Sequence, residues 1–373
     1  MSAGGGVVDA PDLPGTGTLD RREVKRRLAA ARSRLQRKLG DVDLAAVGLS
    51  PYNQRYLTHK LSVIEGELQQ VADLLTMCLA DSPIPLDRFT LLDYGGGSGV
   101  ISLLAKELGV GTVVYNDIYD VSCKDAAALA GAIGMQLDGV ICGDVDDVLT
   151  YLRAQGHELN AVVSYDVLEH IYDVPSFFGA LVTAPMSKRF FRLVFASGAN
   201  IKNARYVRYA TRVQTTDELE GTEPEWGHKE RDAVRPFLEI RRELIGAAAP
   251  DLASEQVDEL ARATRGLRRD DIERAVGEYR EHGAISYRPD HPTNTCDPYT
   301  GNWSEHLMDP AWLERIVRDA GFDAAVEAGR YATAGGGLKP AAKRLLNAAI
   351  GALGARALPI APYYVVYGTV RAG

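Results

Sequence analysis

The sequence predicts an α/β fold in which helices cover a mostly parallel sheet. Two observations support this prediction. Five short apolar runs, at 91–94, 111–117, 139–145, 161–165 and 189–196, have the length and composition of buried strands. A glycine-rich turn at 95–99 joins the first run to a segment whose apolar residues have helical spacing. A strand, a glycine turn and the start of a helix together form a common nucleotide-binding unit of α/β proteins.

The glycine turn has the spacing Asp93-x-Gly95-x-Gly97-x-Gly99, which differs from the common phosphate-binding motifs. The dinucleotide fingerprint requires a third glycine where this chain has Val100, and the phosphate loop requires a lysine that is absent here. An acid at the end of the strand would repel a pyrophosphate, whereas it can pair with an ammonium group. The turn therefore favours a nucleoside ligand that carries an amino group and no phosphate.

This stretch resembles motif I of the class I S-adenosylmethionine-dependent methyltransferases. The resemblance covers 85–196 and 309–371, and it implies a Rossmann-like sheet of seven strands, mostly parallel with an antiparallel last strand. A helix from 309, a sixth strand at 324–331, a helix at 339–353 and a closing strand at 363–370 would complete it. The implied cofactor is S-adenosyl-L-methionine. Its predicted binding residues are Asp93, Tyr94, Gly95, Gly97, Gly99, Asn116, Asp117, Asp144, Val145, Tyr165 and Asp166.

Two of these acids have predicted roles. Asp117 ends the second strand, and a carboxylate about 20 residues beyond the glycine turn suits the two donors of a ribose diol. The alternative is an exposed aspartate in a turn. The resemblance places Asp144 against the adenine amino group, although Asp146 and Asp147 stand beside it and could be helix caps.

The segment after the fourth strand, Asp166-Val167-Leu168-Glu169-His170, resembles the small-molecule branch of the family, which includes quinone-type and natural-product O-methyltransferases. It lacks the Asp/Asn-Pro-Pro-aromatic segment of enzymes that methylate exocyclic amines of nucleic-acid bases. It also lacks the Pro-Cys nucleophile of cytosine-C5 enzymes. His170 is a candidate base, although a histidine at a helix start is more often structural.

About a hundred residues separate the fifth strand from the helix at 309. Three segments of this insertion, at 231–245, 254–264 and 270–281, have helical patterns. Because the insertion leaves the sheet at its carboxyl edge, where ligands bind in open α/β folds, we expect a helical lid over the acceptor. A dimerisation arm is the alternative, and both roles are compatible.

The candidate general bases of the insertion are His228, His291 and His306, because the pKa of histidine lies near the working pH. The polar loop at 287–306 also contains Cys296 and Asp297, but the irregular spacing does not favour zinc, and no metal is expected. The predicted acceptor contacts are Asn294 and Trp303 in this loop, and Tyr52, Tyr56 and His59 on a helix that begins at Ser50-Pro51.

The N-terminal part is predicted to contain a disordered segment at 1–19 and helices over 20–84. Nine basic residues lie between Arg21 and Lys38. Apolar residues recur between them at helical spacing (Val24, Leu28, Ala31, Leu35 and Leu39), and Gly40 is the predicted end of this helix. The apolar stripe favours packing on the body of the protein. Binding of an anionic substrate or an acidic partner is the alternative.

Composition narrows the function further. The 373 residues are 46% hydrophobic and carry a net charge of −8, which is typical of a globular protein and argues against overall nucleic-acid binding. No apolar run reaches the length of a membrane span, and the N-terminus has no apolar signal core. Four scattered cysteines predict free thiols in the cytoplasm.

The predicted organisation is N-terminal helices at 20–84, a cofactor-binding core at 85–196 and 309–373, and a helical insertion at 197–308 that forms the acceptor site. The predicted function is S-adenosylmethionine-dependent transfer of a methyl group to a small molecule in secondary, sugar or lipid metabolism. The acceptor atom is oxygen, or else nitrogen. The alternatives are a non-catalytic cofactor-binding partner subunit and a protein or peptide methyltransferase. A homodimer through the insertion is compatible with each of them.

Overall fold

The computed structural model describes residues 20–221, 232–334 and 339–371. Its centre is one seven-stranded sheet with the order β3-β2-β1-β4-β5-β7-β6. The strands are β1 (Thr90–Tyr94), β2 (Thr112–Asp117), β3 (Gly139–Cys142), β4 (Ala161–Tyr165), β5 (Arg192–Ser197), β6 (Phe322–Ala328) and β7 (Tyr364–Val370). Strand β7 pairs antiparallel with both β5 and β6, while the pairs among β1 to β5 are parallel. The predicted Rossmann-like sheet is confirmed.

The order of the strands determines where a ligand can bind. Strand β1 lies between β2 and β4, so the chain runs to one side of β1 for β2 and β3 and then crosses to the other side for β4. In open parallel sheets a crevice forms at this switch point, outside the carboxyl ends of the strands. The glycine turn and the ends of β2 and β4 meet at this edge.

Fourteen helices are present in the described ranges. They are α1 (Arg21–Gly40), α2 (Leu44–Val47), α3 (Pro51–Ser62), α4 (Ile64–Leu79), α5 (Val100–Leu108), α6 (Asp120–Ala132), α7 (Val145–Gln155), α8 (Val174–Leu181), α9 (Ala204–Leu219), α10 (Phe237–Ala248), α11 (Ser254–Ala263), α12 (Arg269–His282), α13 (Pro310–Asp319) and α14 (Pro340–Leu353). Short 3-10 turns occupy Leu86–Arg88, Leu168–His170 and Gly354–Ile360.

Helix α1 packs on the body of the protein, as its apolar stripe predicts. All five apolar residues of the stripe are buried in the main core. Two of its cations, Arg34 and Lys38, bind the carboxylate of Glu107 on α5, at 2.5 and 2.8 Å. The predicted end at Gly40 is wrong by one residue, because Gly40 is still helical and Asp41, with φ −88°, is the C-cap. The predicted disorder of 1–19 lies outside the described residues.

Several predicted boundaries shift by a few residues. Strand β3 ends at Cys142 rather than at 145, because Asp144 already caps α7. Strand β5 begins at Arg192 rather than at 189, and β6 occupies Phe322–Ala328 rather than 324–331. Ser50 and Asp309 cap α3 and α13 with Pro at the first helical position, as predicted.

The insertion contains one helix that the sequence did not predict. Helix α9 buries the polar side chains of Gln214 and Glu218, and Glu218 pairs with the fully buried Arg241 of α10. Because these inward residues are polar, α9 shows no apolar periodicity. The helix predicted at 231–245 corresponds to α10, which begins at Phe237. Residue 231, where the prediction began, lies outside the described residues. Helices α10, α11 and α12 share an apolar cluster of their own.

The division into N-terminal helices, core and insertion stays a prediction. Helices α1 to α4 lie before residue 85 and α9 to α12 lie between β5 and α13, while β5 ends at Ser197, one residue beyond the predicted end of the first core segment.

Candidate functional site

The glycine turn after β1 has a backbone that favours glycine at three alternate positions. Gly95, Gly97 and Gly99 have φ angles of 68°, 52° and 77°, in the left-handed region. The hydroxyl of Tyr115 on β2 donates to the Gly97 carbonyl at 2.7 Å and holds the turn against the neighbouring strand.

Two of these glycines have different surroundings. A Cβ atom at Gly95 would lie 2.4 Å from Cγ2 of Val167, so a side chain there would clash inside the protein. A Cβ atom at Gly97 would meet nothing within 4 Å, and Gly97 lines a cavity. The backbone at Gly97 is therefore open to a ligand from the cavity side.

Asp93 lies beneath the turn and does not line the cavity. Its side chain is fully buried. Its Oδ2 accepts from the backbone N–H of Ser102 at 3.0 Å and from the Ser102 hydroxyl at 2.7 Å. Ser102 lies in the first turn of α5, so this carboxylate occupies the positive end of that helix. Burial raises the pKa of the Asp93 carboxyl to about 7, although the two hydrogen bonds from Ser102 oppose the shift.

Asp117 lies at the end of β2 and faces the cavity. Its Oδ2 accepts from the Gly97 N–H at 3.0 Å, and its Oδ1 accepts from the Tyr119 N–H at 2.9 Å. The carboxylate therefore sits beside the open backbone of Gly97.

The adjacent strand ends have structural contacts of their own. The amide of Asn116 donates to the carbonyls of Ile141 and Gly143, at 3.2 and 2.9 Å, and joins the ends of β2 and β3. Asp144 is itself the N-cap of α7, with a capping box completed by Asp147. Asn116, Asp144 and Val145 all line the cavity. Asp144 keeps an exposed side chain at its wall.

The cavity at this edge has a volume of about 800 Å³. Its walls are the glycine turn, the ends of β2, β3 and β4, helix α3, helix α8 and part of the insertion. Among the described residues that line it, seven are acidic (Glu67, Asp117, Asp144, Asp146, Asp166, Asp173 and Asp232), while Lys60 and Arg268 are the basic ones besides His170. An anionic ligand is therefore disfavoured and a cationic one favoured.

Asp166 follows β4 and has a left-handed backbone, with φ 54°. Its Oδ1 accepts from the N–H of Gly198 after β5, at 2.8 Å, and its side chain is exposed to the cavity. The surrounding protein raises the pKa of the Asp166 carboxyl to about 6 by desolvation, and nearby Glu305 adds to this shift. Tyr94 and Tyr165, at the ends of β1 and β4, line the same cavity.

Among the candidate histidines within the described residues, His170 is the one that lines the cavity. Its Nδ1 lies 2.8 Å from the carbonyl oxygen of Trp303. Because a carbonyl only accepts, Nδ1 carries the proton, and in the neutral ring Nε2 is the acceptor. The loop of the insertion thus fixes the orientation of the His170 ring through the Trp303 carbonyl.

Helix α3 covers the cavity with one face. Tyr52 and Tyr56, two of the predicted acceptor contacts, line it, and their rings stack with centres 6.1 Å apart. His59 is exposed and does not line the cavity. Lys60, one turn beyond Tyr56, takes that place, with its Nζ 4.9 Å from the centre of the Tyr56 ring and paired with Glu67. The spacing 52, 56, 60 would have indicated Lys60.

The other predicted residues of the insertion lie away from this cavity. Asn294 is buried, and its side chain donates to the Leu307 carbonyl and accepts from the Leu307 N–H. Trp303 and His306 form a buried stack with ring centres 4.0 Å apart. Burial lowers the pKa of His306 to about 3, so its ring stays neutral.

One further candidate histidine among the described residues lies away from the cavity. His291 does not line it, and its Nδ1 lies 2.9 Å from the Thr293 hydroxyl and accepts from the Thr293 N–H. His228 lies outside the described residues. The structure therefore brings His170 to the cavity and holds His306 and His291 elsewhere.

The insertion reaches the cavity through residues that the sequence did not single out. Arg268, Thr300 and Asn302 line it. Tyr119, just after β2, binds Asp232 through its hydroxyl, and Asn302 donates to the same hydroxyl at 3.4 Å. These contacts join the insertion to the sheet edge. No local pattern marks them, because the two segments meet only in the folded chain.

Metal sites and membrane-spanning helices were sought in the described ranges. Within them, no group of three or more His, Cys, Asp or Glu side chains is arranged to hold a metal ion. None of their helices combines the length and apolar character needed to cross a membrane.

Comparisons with known proteins give matches among solved structures. No family model matches the chain, and no curated protein matches its sequence. A S-adenosylmethionine-dependent methyltransferase from Archaeoglobus fulgidus is 15% identical, with 84% of this chain and 98% of that chain covered and a TM-score of 0.34. A Haloferax volcanii complex between the Trm112 methyltransferase activator and a methyltransferase is 11% identical, with 84% and 92% covered and a TM-score of 0.39. A Streptococcus mutans methyltransferase is 15% identical, with a TM-score of 0.29, and the chain spans 38% of its length.

Proposed function

We propose that the chain is a S-adenosylmethionine-dependent methyltransferase. The observation that supports this most is the contact between Asp93 and Ser102 at the start of α5. In dinucleotide-binding folds the corresponding helix start holds the pyrophosphate. Here the side chain of Asp93 already accepts the N–H and the hydroxyl of Ser102 at that position, so these donors are not available to a phosphate. A nucleoside without phosphate does not have this conflict.

The charge of the cavity supports the same cofactor. Asp117, Asp144 and Asp166 lie on its walls with four further acids, against the two bases Lys60 and Arg268, within the described part of the chain. S-adenosylmethionine carries a sulfonium and an ammonium and only one carboxylate, whereas a dinucleotide carries a pyrophosphate. Opposite charges across a partly desolvated cavity attract more strongly than they do in water.

The residues present fit the cofactor at two points. The open backbone at Gly97 admits a ligand where any side chain would project into the cavity. The Asp117 carboxylate, bound to that same backbone, would accept the ribose hydroxyls. When bound, S-adenosylmethionine supplies a methyl group that its sulfonium already activates. The protein contributes alignment, exclusion of water and a base.

Calorimetric titration of the full chain tests the choice of cofactor. We expect S-adenosylmethionine and S-adenosylhomocysteine to bind, and NAD to show no heat under the same conditions. Tighter binding of NAD than of either S-adenosyl compound would overturn the proposal, because the Asp93 carboxylate would then not exclude phosphate.

We further propose that the acceptor is a small molecule that is methylated on a hydroxyl oxygen, or else on a nitrogen. The cavity has walls on the sheet side, on the α3 side and on the insertion side, and its volume of about 800 Å³ is within the range of small-molecule sites. A hydroxyl has to lose its proton as it attacks, and the orientation of His170 favours its Nε2 as the group that takes that proton. Asp166 is the second base within the same cavity.

A panel of hydroxyl-bearing and amine-bearing metabolites, assayed for release of S-adenosylhomocysteine, tests the acceptor. Turnover of hydroxyl compounds that is lost in His170→Ala supports oxygen transfer with His170 as base. Turnover of amines that is kept in His170→Ala would indicate nitrogen transfer. Binding of the cofactor with turnover only on protein substrates would contradict the small-molecule proposal.

A further inference from the structure

The charges of the chain are segregated along its length. All 50 acidic residues lie before Ala328, and the last 46 residues contain six cations and no acid. The whole chain nevertheless carries a net charge of −8. The C-terminal part is therefore a second basic segment of this acidic protein, besides helix α1, and its charge attracts anionic partners.

Helix α14 lies in this segment and leaves an apolar face exposed. The side chain of Leu345 is 74% exposed and that of Leu353 is 51% exposed. Ala348 and Ala352 are also exposed, and the spacing of these four residues places them on neighbouring positions of the helix surface. The four residues together give α14 an exposed apolar strip, and apolar surface that is bordered by polar residues is a feature of interaction sites.

Cations border this apolar face. Lys339 stands immediately before α14, Arg344 lies within it and Arg356 follows it, and all three are exposed. An apolar helical face with lysine and arginine along its borders is the pattern of helices that lie in the surface of an anionic bilayer. The cations reach the lipid headgroups while the leucines enter the acyl boundary.

The start of α9 carries further cations and is bound to the chain that follows α14. The Asn203 side chain, which caps α9, donates to the carbonyl of Ala361 at 2.9 Å, and the Asn200 side chain donates to the carbonyl of Leu358 at 2.8 Å. These bonds tie the start of α9 to the chain that follows α14. Arg205 and Arg208, in the first turns of α9, are exposed.

We propose that the exposed face of α14 docks the protein on an anionic lipid surface. Two other occupants fit the observations less well. A second copy in a symmetric dimer would bring the same cations of both copies together. A nucleic acid would use the cations but would leave Leu345 and Leu353 without an apolar partner, since its surface at these contacts is phosphate.

Vesicle flotation with the full chain tests this proposal. The probes are vesicles of phosphatidylcholine alone and vesicles that also contain phosphatidylglycerol. We expect binding to the anionic vesicles only, with loss of binding at high salt because salt screens the cations. Removing one cation, as in Arg344→Ala, should weaken binding about five-fold, the equivalent of about 1 kcal/mol for one basic side chain near an anionic surface.

The leucines distinguish a lipid surface from other anions. Leu345→Glu with Leu353→Glu should reduce binding to anionic vesicles at least ten-fold. Val140→Glu is the matched control, because Val140 is 39% exposed on the edge strand β3, at the other end of the sheet from β6. It should bind as the native chain does. Circular dichroism and S-adenosylmethionine affinity report whether each variant is folded.

Three results would overturn the proposal. The first is no binding to anionic vesicles at low salt. The second is equal binding to both kinds of vesicle. The third is binding that Arg344→Ala weakens while the leucine variant leaves it unchanged, which would indicate an anion without an apolar phase, such as a nucleic acid. Where the leucine variant does not fold, Leu345→Ser with Leu353→Ser is expected to give the same loss of vesicle binding.

Discussion

The carboxylate of Asp93 accepts two hydrogen bonds from Ser102, one from its backbone N–H at 3.0 Å and one from its hydroxyl at 2.7 Å. The acid of the glycine motif thus caps the helix that follows it, from beneath the turn. The sequence predicted Asp93 as a cofactor contact through an ammonium group. Its fully buried position indicates a second way in which an acid can select the ligand, by occupying the helix start that a phosphate would need.

This contact predicts a specific dependence of stability on pH. Burial raises the pKa of Asp93 to about 7, above the value of an unfolded aspartate. Between about pH 4 and pH 7 the folded chain therefore holds a proton that the unfolded chain has lost, and the free energy of unfolding falls as pH rises through this window. Asp93→Asn should remove this contribution, about 4 kcal/mol in all at 1.4 kcal/mol per pKa unit.

Urea unfolding of both proteins at pH 4.5 and pH 7.5 measures this effect as a difference. The asparagine oxygen can still accept from Ser102, so the variant should keep the cap and gain stability relative to the native chain as pH rises. A difference between the two proteins that does not change with pH would mean that Asp93 is ionised in the folded chain throughout.

Gly97 and Gly134 form a matched pair for the cofactor prediction. Their φ angles are 52° and 70°, and a Cβ atom at either one would meet nothing within 4 Å. Valine at either position should cost about 1–2 kcal/mol of backbone strain. Only Gly97 lines the cavity, so only Gly97→Val should abolish S-adenosylmethionine binding by calorimetry. Equal affinity in the two folded variants would mean that the cofactor does not approach the turn.

Asp117 is predicted to accept the ribose hydroxyls. Asp117→Ala should weaken the cofactor by about 1.5–3 kcal/mol, the scale of hydrogen bonds to a charged group. The same change removes the bonds to Gly97 and Tyr119, so it can also act by loosening the turn. A cofactor analogue without the ribose hydroxyls separates the two effects. It should bind the native chain more weakly than S-adenosylmethionine does, and both should bind the variant with similar affinity.

The sequence predicted the core of this fold well because the core depends on local signals. Apolar runs end at the sheet edge, glycines permit the turn, and caps such as Ser50 and Asp309 begin helices. Each of these signals operates within a few residues. The glycine motif gave the position of the cavity for the same reason.

The cavity wall formed by α3 and the insertion was predicted less well because it depends on contacts between distant segments. Lys60 lines the cavity because α3 packs across it, and Arg268 because the insertion returns to the sheet edge. Helix α9 was missed because it buries Gln214 and Glu218, whose hydrogen-bond partners come from distant segments of the insertion, such as Arg241 for Glu218 and Asn294 for Gln214. The residue type alone could not show that His170 lines the cavity while His306 is buried away from it.

The two histidines differ in environment, and this difference gives the last prediction. His170 lines the cavity, with its Nδ1 bound to the Trp303 carbonyl. His306 is buried against the Trp303 ring, and neither residue lines the cavity at the glycine turn. His170→Ala should therefore lower turnover by about 10²-fold, the usual contribution of a general base, while S-adenosylmethionine affinity stays unchanged.

His306→Gln should instead change stability and its pH dependence. Burial lowers the pKa of His306 to about 3, so below about pH 6.5 the unfolded chain takes up a proton that the folded chain does not. The native free energy of unfolding should fall by about 2 kcal/mol from pH 6.5 to pH 5 through this group alone, at 1.4 kcal/mol per pKa unit, and the variant should lack this fall. Steady-state kinetics with the acceptor, together with urea unfolding at the two pH values, separates the roles. Full turnover in His170→Ala with loss of turnover in folded His306→Gln would reverse the assignment and would move the chemistry to the buried stack.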